Sequence, residues 1–171
     1  MEIRFEEERD HRAISVIHRA AFGQEAEPQL VEALRTNERY GEGQSLVAED
    51  FGILVGHILF SRLYLAGAEG RVYKAAALAP VSVRPERQKQ GIGSALIQEG
   101  FKSLSRMGYE VVVVLGEPEY YTRFGFSRAL GEKIQCEYSG PYLMATELVP
   151  GVLAEATTLT ARYSPEFANL G

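Results

Sequence analysis

Residues 111–115 read Val-Val-Val-Val-Leu, an unbroken apolar run of strand length. A strand with no polar side has to be covered on both faces, so the other segments must supply neighbours and cover. Ahead of it lie three further strand candidates, Ser45–Glu49, Ile53–Leu65 and Val72–Val83. The turns between them hold Asp50 and Gly52, then Gly67 and Gly70, residues suited to hairpin connections. Ile3–Phe5 forms a short first strand and Tyr142–Leu148 a late one.

Helical periodicity fills the gaps. Asp10 stands as the cap of a helix with Ala13, Ile14, Ile17, Ala20 and Ala21 on one face, broken by Gly23. A second helix follows Pro28, with Leu30, Val31 and Leu34 as its apolar side. A third, from Gly91 to Met107, carries Ile92, Leu96, Phe101 and Leu104 and stops at Gly108. A helical turn spans Pro118 to Phe124, and the end of the chain has little periodicity. With no repeat, low-complexity segment or linker, residues 1–171 are expected to form one domain. Its pattern is mixed α/β with an antiparallel front half.

Charge and cysteine content narrow the function. With 18 Lys and Arg against 23 Asp and Glu, the chain lacks the broad basic face of a nucleic-acid binder. No apolar run approaches the roughly 20 residues of a membrane span, so no membrane partner is expected. The opening MEIRFEEERD has no signal-peptide core, and the single cysteine, Cys136, suits a reducing cytosol. A cytoplasmic protein is expected. His11 and His18 are two helical turns apart, about 10 Å, too far to share a metal, and no metal site is expected. Cys136 has no partner motif of a nucleophile.

One stretch runs against the acidic balance. In RPERQKQGIGSAL, residues 84–96, Arg84, Arg87 and Lys89 crowd ahead of Gly91 and Gly93 where the third helix begins. A helix N-terminus exposes unpaired N–H groups and partial positive charge, and glycine lets an anion approach the backbone closely. A phosphate cradle follows from that pattern, and a solvated turn ahead of a glycine-packed helix is the plainer reading. No Gly-Lys-Ser/Thr makes it a nucleoside-triphosphate loop, and Leu96 stands where a dinucleotide fingerprint needs its third glycine.

The motif Gln88-Lys89-Gln90-Gly91-Ile92-Gly93 instead resembles the Gln/Arg-x-x-Gly-x-Gly/Ala element of the GNAT superfamily of N-acetyltransferases. Tyr121-Thr122-Arg123-Phe124-Gly125-Phe126 is similar to the Tyr-x-x-x-Gly-Phe element after that superfamily's fifth strand. The resemblance extends over residues 1 to about 130, and GEPEYYTRFGF with GHILFS points to a branch of small bacterial acetyltransferases. It implies a mostly antiparallel sheet with splayed fourth and fifth strands, flanked by helices. It also implies acetyl-CoA as donor and an amine acceptor, either a small molecule or a peptide or protein, and is compatible with a homodimer.

Carried over residue by residue, the resemblance implies that main chain at Val81, Ser82 and Val83 pairs with the pantetheine arm. Backbone from Gln88, Lys89, Gln90, Gly91, Ile92, Gly93 and Ser94 would hold the pyrophosphate, and Arg84, Arg87 and Lys89 would lie near the 3′-phosphate. N–H groups of residues 81–83 would polarise the carbonyl. Tyr121 would protonate the leaving thiolate, with Tyr120 as rival. The general base stays open, since Ala75–Val83 contains no carboxylate. Glu25, Glu27, Glu49, His57, Glu117 and a water relay are the candidates. That missing carboxylate keeps a second class in play, a non-catalytic acyl-CoA-binding or sensing module.

Overall fold

The computed structural model describes residues 1–170. In chain order it contains β1 (Glu2–Phe5), α1 (His11–Phe22), α2 (Ala26–Arg35), β2 (Gln44–Asp50), β3 (Ile53–Gly67) and β4 (Val72–Val83). There follow α3 (Ile92–Arg106), β5 (Val111–Leu115), α4 (Pro118–Tyr121), α5 (Arg128–Glu132), β6 (Ile134–Gln135), β7 (Leu143–Glu147) and β8 (Leu159–Arg162). Hydrogen bonding orders the strands β1-β2-β3-β4-β5-β7, with β8 pairing both β3 and β6. The sheet is mostly antiparallel, with β4–β5 and β6–β8 parallel, which is the mixed α/β class expected. The chain packs as two compact units that share β3, β4 and α3.

The first unit comprises Met1–Ser61, Ala79–Gly100 and the C-terminal stretch from Pro165. Its hairpin between β2 and β3 turns at Phe51 and Gly52, both with positive φ (50° and 77°), the two-residue geometry that matches strand twist. Alternation along β3 then sorts its cover. A Cβ on Gly56 would stand 3.0 Å from Leu96 and 3.1 Å from Ile92, so α3 packs on that face. His57, the next residue, faces the opposite way, toward His18 of α1.

Helix α1 buries Ile14, Ser15, Ile17 and His18, whereas Ala20 is exposed and Ala13 and Ala21 are half-buried. The apolar face is thus rotated from the alanine-containing one read from the sequence. Asp10 occupies the N-cap position of α1 without capping it. Its carboxylate accepts from Glu7 N (2.7 Å) and pairs with Arg4 (2.7 Å), and the Arg4 hydrogen bond holds it below the usual carboxylate range. Helix α2 begins two residues ahead of Pro28, which sits within the first turn where its missing N–H costs no helical bond.

The second unit comprises Arg62–Leu78 and Phe101–Ser164. Val111 to Val114 are fully buried, paired with β4 on one side and β7 on the other, and the run ends at a 41% exposed Leu115. The parallel ladder covers Ala75–Leu78 against Val111–Val114, while β4 itself continues to Val83. Pro80, two residues beyond the ladder, has no N–H to extend it. The tail read as aperiodic contains β8, whose Leu159 and Ala161 are buried and whose Thr160 and Arg162 are exposed. Four residues are too few to raise that alternation above background, and pairing with Tyr64–Gly67 of β3 fixes the strand.

Candidate active site

Strand β4 ends with Val81 and Val83 half-buried and Ser82 buried. A turn at Pro85–Arg87 leads into an exposed stretch from Gln88 to Gly91. Lys89 and Gly91 have φ of 63° and 84°, so the backbone reverses its curvature twice just before α3. At Gly91 this conformation, not space, demands glycine, since a Cβ there would meet nothing within 4 Å. The first turn of α3 is pinned by Ala95 N donating to Gly91 O (3.0 Å). The N–H groups of Ile92, Gly93 and Ser94 precede that bond and belong to those a helix leaves without intrahelical partners. The Gln88 side chain donates to Val83 O (3.1 Å), tying this loop to the end of β4.

The three basic side chains separate. Arg84 donates its Nε to Leu54 O (2.6 Å), and Arg87 pairs with Asp50 (2.8 Å) and donates to Gln90 (3.1 Å). Asp50, held below its ordinary value first by that Arg87 hydrogen bond, also lies 3.4 Å from the N-terminal amine. Lys89 alone is exposed with no ion pair or hydrogen bond among the described residues. Its charge, like that of Arg84, is not paired with a carboxylate among the described residues.

In the second unit, Tyr121 ends α4 with its ring pressed on the backbone of Gly116. A Cβ at 116 would stand 2.2 Å from Tyr121 Cε2, so glycine there is a steric requirement. Phe126 packs edge-on at 5.7 Å between centroids and Tyr120 at 4.9 Å. The Tyr121 hydroxyl has no hydrogen-bond partner among the described residues. Burial, with Tyr120 second, pushes its pKa up to about 12, so the phenol is fully protonated at neutral pH. Tyr120 is engaged instead under the guanidinium of Arg123, 4.6 Å from its ring.

The base candidates are mostly spoken for. Glu25 is exposed and bound by Arg19 (2.5 and 3.0 Å), which holds it below its usual range. Glu27 accepts both hydrogen bonds of Gln24 (2.8 and 3.0 Å), and Glu49 pairs with Arg4 (3.2 Å). Glu117 is exposed at the start of α4. His57 is fully buried and lies in a row with Ser45, His18 and Ser82. Among the described residues no group of three or more His, Cys, Asp and Glu could hold a metal ion, and no helix is long and apolar enough to cross a membrane.

The sequence profile described as "Acetyltransferase (GNAT) domain" matches residues 2–129. The uncharacterized N-acetyltransferase YjhQ of Escherichia coli is 36% identical, covering 88% of this chain and 84% of its own length. The crystal structure of the E. coli GNAT family N-acetyltransferase YhbS, in complex with CoA, superposes with TM-score 0.88 at 31% identity, over 99% of this chain and 93% of that one. A Brucella melitensis GNAT family acetyltransferase in complex with acetyl-CoA gives 0.77 at 32% identity, covering 97% of each chain. The chain belongs to the GNAT acetyltransferase family.

As a GNAT chain it is an acetyltransferase, and the sensing-module alternative is not favoured. Sequence reasoning missed His18 and Ser15 as part of the inward face of α1. The signal was there in Ile14, Ile17 and His18, spaced i, i+3 and i+4, but Ala13, Ala20 and Ala21, which fit a neighbouring stripe, drew the reading aside.

Proposed function

We propose that this GNAT enzyme moves acetyl from acetyl-CoA directly to an amine, with backbone from Gln88 to Ser94 holding the pyrophosphate and Tyr121 assisting the leaving thiolate. The observation that carries the reading is the entrance of α3. Positive φ at Lys89 and Gly91 and the unpaired first-turn N–H groups make an anion site of backbone, with Lys89 free beside it. The E. coli and Brucella relatives, solved with CoA and acetyl-CoA, support that donor here.

Acetyl-CoA supplies an activated thioester. Main chain at Val81, Ser82 and Val83 pairs with the pantetheine arm and polarises the carbonyl as negative charge develops on its oxygen. The amine attacks as a neutral nucleophile; its nitrogen forms the new bond to carbon as the carbon–sulfur bond breaks. Tyr121 arrives protonated. A phenol raised to about 12 is a weaker acid than a thiol with its usual pKa of about 8.5, so the hydroxyl serves by hydrogen-bonding the sulfur while charge builds there. The acceptor is a small-molecule amine or a peptide or protein amine. Residues 1–171 act as one acetyltransferase domain in this reading; a cytoplasmic setting and assembly as a homodimer go with it.

The test is thiol release from acetyl-CoA across spermidine, kanamycin, a lysine-containing peptide and a peptide N-terminus. Acceleration by at least one amine is expected. Tight acetyl-CoA binding without acceleration by any of them contradicts the acceptor classes proposed, and absence of acetyl-CoA binding contradicts the donor site.

A further inference from the structure

Four buried side chains form one hydrogen-bonded row beneath α1. Ser82 Oγ of β4 lies 2.6 Å from His18 Nδ1 of α1, and His18 Nε2 lies 2.6 Å from His57 Nδ1 of β3. His57 Nε2 lies 2.7 Å from Ser45 Oγ of β2. Both rings are 0% exposed. Burial, with the charge of Arg35 acting the same way, pushes His18 down to about 3 and His57 well below its ordinary value, so both are neutral at pH 7. A neutral imidazole has one donor and one acceptor nitrogen, so the ring-to-ring contact locks the two tautomers to each other and every ring nitrogen is engaged.

The two ends of the row hold strands in opposite situations. Ser45 lies in β2, which pairs with β1 on one side and β3 on the other; Leu59 stands opposite it, and Glu6 N donates to its carbonyl (3.0 Å). Ser82 lies past the β4–β5 ladder, which stops at Leu78, so among the described residues this stretch of β4 has a strand partner on the β3 side alone. Arg84 N donates to Val55 O of β3 (2.8 Å), whereas Val83 O accepts from the Gln88 amide (3.1 Å). Main-chain groups of successive strand residues point to opposite sides, so Ser82 and Arg84 face β3, and Val81 and Val83 face the side without a partner. Side chains alternate too: Ser82 points at α1, and the half-buried Val81 and Val83 point to the other face. A strand paired on one side is free to roll about its axis, and apolar contact, being non-directional, does not fix that roll. The Ser82–His18 hydrogen bond does.

We propose that His18 is a positioning residue for the donor: through Ser82 it sets the roll of the end of β4, so that main chain at Val81 and Val83 meets the pantetheine arm of acetyl-CoA. His57 and Ser45 hold the His18 ring in turn. The proposal rests on the reading that this main chain pairs with pantetheine. Aliphatic side chains would fill the space under α1 without desolvating two imidazoles, but they could not aim Ser82.

The two ends supply matched variants for the test. Ser82→Ala and Ser45→Ala each remove one hydroxyl and leave one ring nitrogen unpaired in a sealed site, so both should lower the urea midpoint by similar amounts. Calorimetry should separate them. Acetyl-CoA affinity should fall about tenfold or more in Ser82→Ala and by less than about twofold in Ser45→Ala. His18→Leu, which fills the site without a hydrogen bond to Ser82, should bind acetyl-CoA as weakly as Ser82→Ala whatever its stability. Without any ligand, the Arg84 amide that donates to Val55 should lose protection from hydrogen exchange in Ser82→Ala and keep it in Ser45→Ala. Affinity losses that follow stability in both serine variants, or wild-type affinity in Ser82→Ala or His18→Leu, overturn the proposal. Wild-type protein that fails to bind acetyl-CoA removes the donor reading instead, and exchange at Arg84 then decides whether His18 holds the end of β4.

Discussion

Two regions that meet at β4 are built on opposite terms. At the entrance of α3 the proposed anion-binding groups are backbone N–H groups, in an exposed loop shaped by the positive φ of Lys89 and Gly91 and braced by the side chains of Arg84, Arg87 and Gln88. Beneath α1 the working groups are all side chains, the two rings are sealed from solvent, and they come from α1, β2, β3 and β4. A backbone site is made by a few consecutive residues and tolerates change in their side chains, provided glycine stays where φ or close approach demands it. A side-chain row exists only once four elements have docked, and one hydroxyl removed breaks it. The proposed donor site is therefore local in sequence, and the buried side-chain network is not.

The largest effect expected separates binding from chemistry. Tyr121→Phe should lower kcat by about 10²–10⁴-fold while leaving acetyl-CoA affinity unchanged, since only a hydroxyl disappears. Tyr120→Phe, whose ring is already engaged with Arg123, serves as control; equal losses in both would break the assignment.

Next comes acid sensitivity of the buried row. His18 and His57 bind protons in the unfolded chain below about pH 6.5 but stay neutral when folded, so stability is full above 6.5 and falls as pH drops toward 3. Each ring contributes about 1.4 kcal/mol per pH unit, so urea unfolding at pH 5 should show a loss of about 4 kcal/mol relative to pH 7. Asp10 and Asp50, held low by Arg4 and Arg87, add their losses only below about pH 4. Equal stability at pH 7 and pH 5 would mean the rings are not sealed as described. The smallest effect belongs to Gly116→Ala, where a methyl forced against the Tyr121 ring should cost about 1–3 kcal/mol and lower kcat without weakening acetyl-CoA binding.

How much could be read beforehand follows the same division. The four-valine strand, the hairpins and the glycine motif each depend on neighbours in sequence, and each was legible. Asp10 misled because its carboxylate had a stronger offer, the guanidinium of Arg4, than the helix end it precedes. β8 was too short to declare itself without its partner, Tyr64–Gly67. His57 could be seen as a candidate, but nothing near it in sequence reveals that His18, 39 residues earlier, completes its hydrogen bonding.

The account turns on acetyl-CoA being held by backbone at the mouth of α3, and one calorimetric titration tests that. Gly93→Val puts a branched side chain in the first turn, where the proposed pyrophosphate site needs close approach to the main chain. A circular dichroism spectrum like wild type should accompany an acetyl-CoA affinity lower by at least about tenfold, or ~1.4 kcal/mol. A folded Gly93→Val protein that binds acetyl-CoA as tightly as wild type would contradict the backbone cradle.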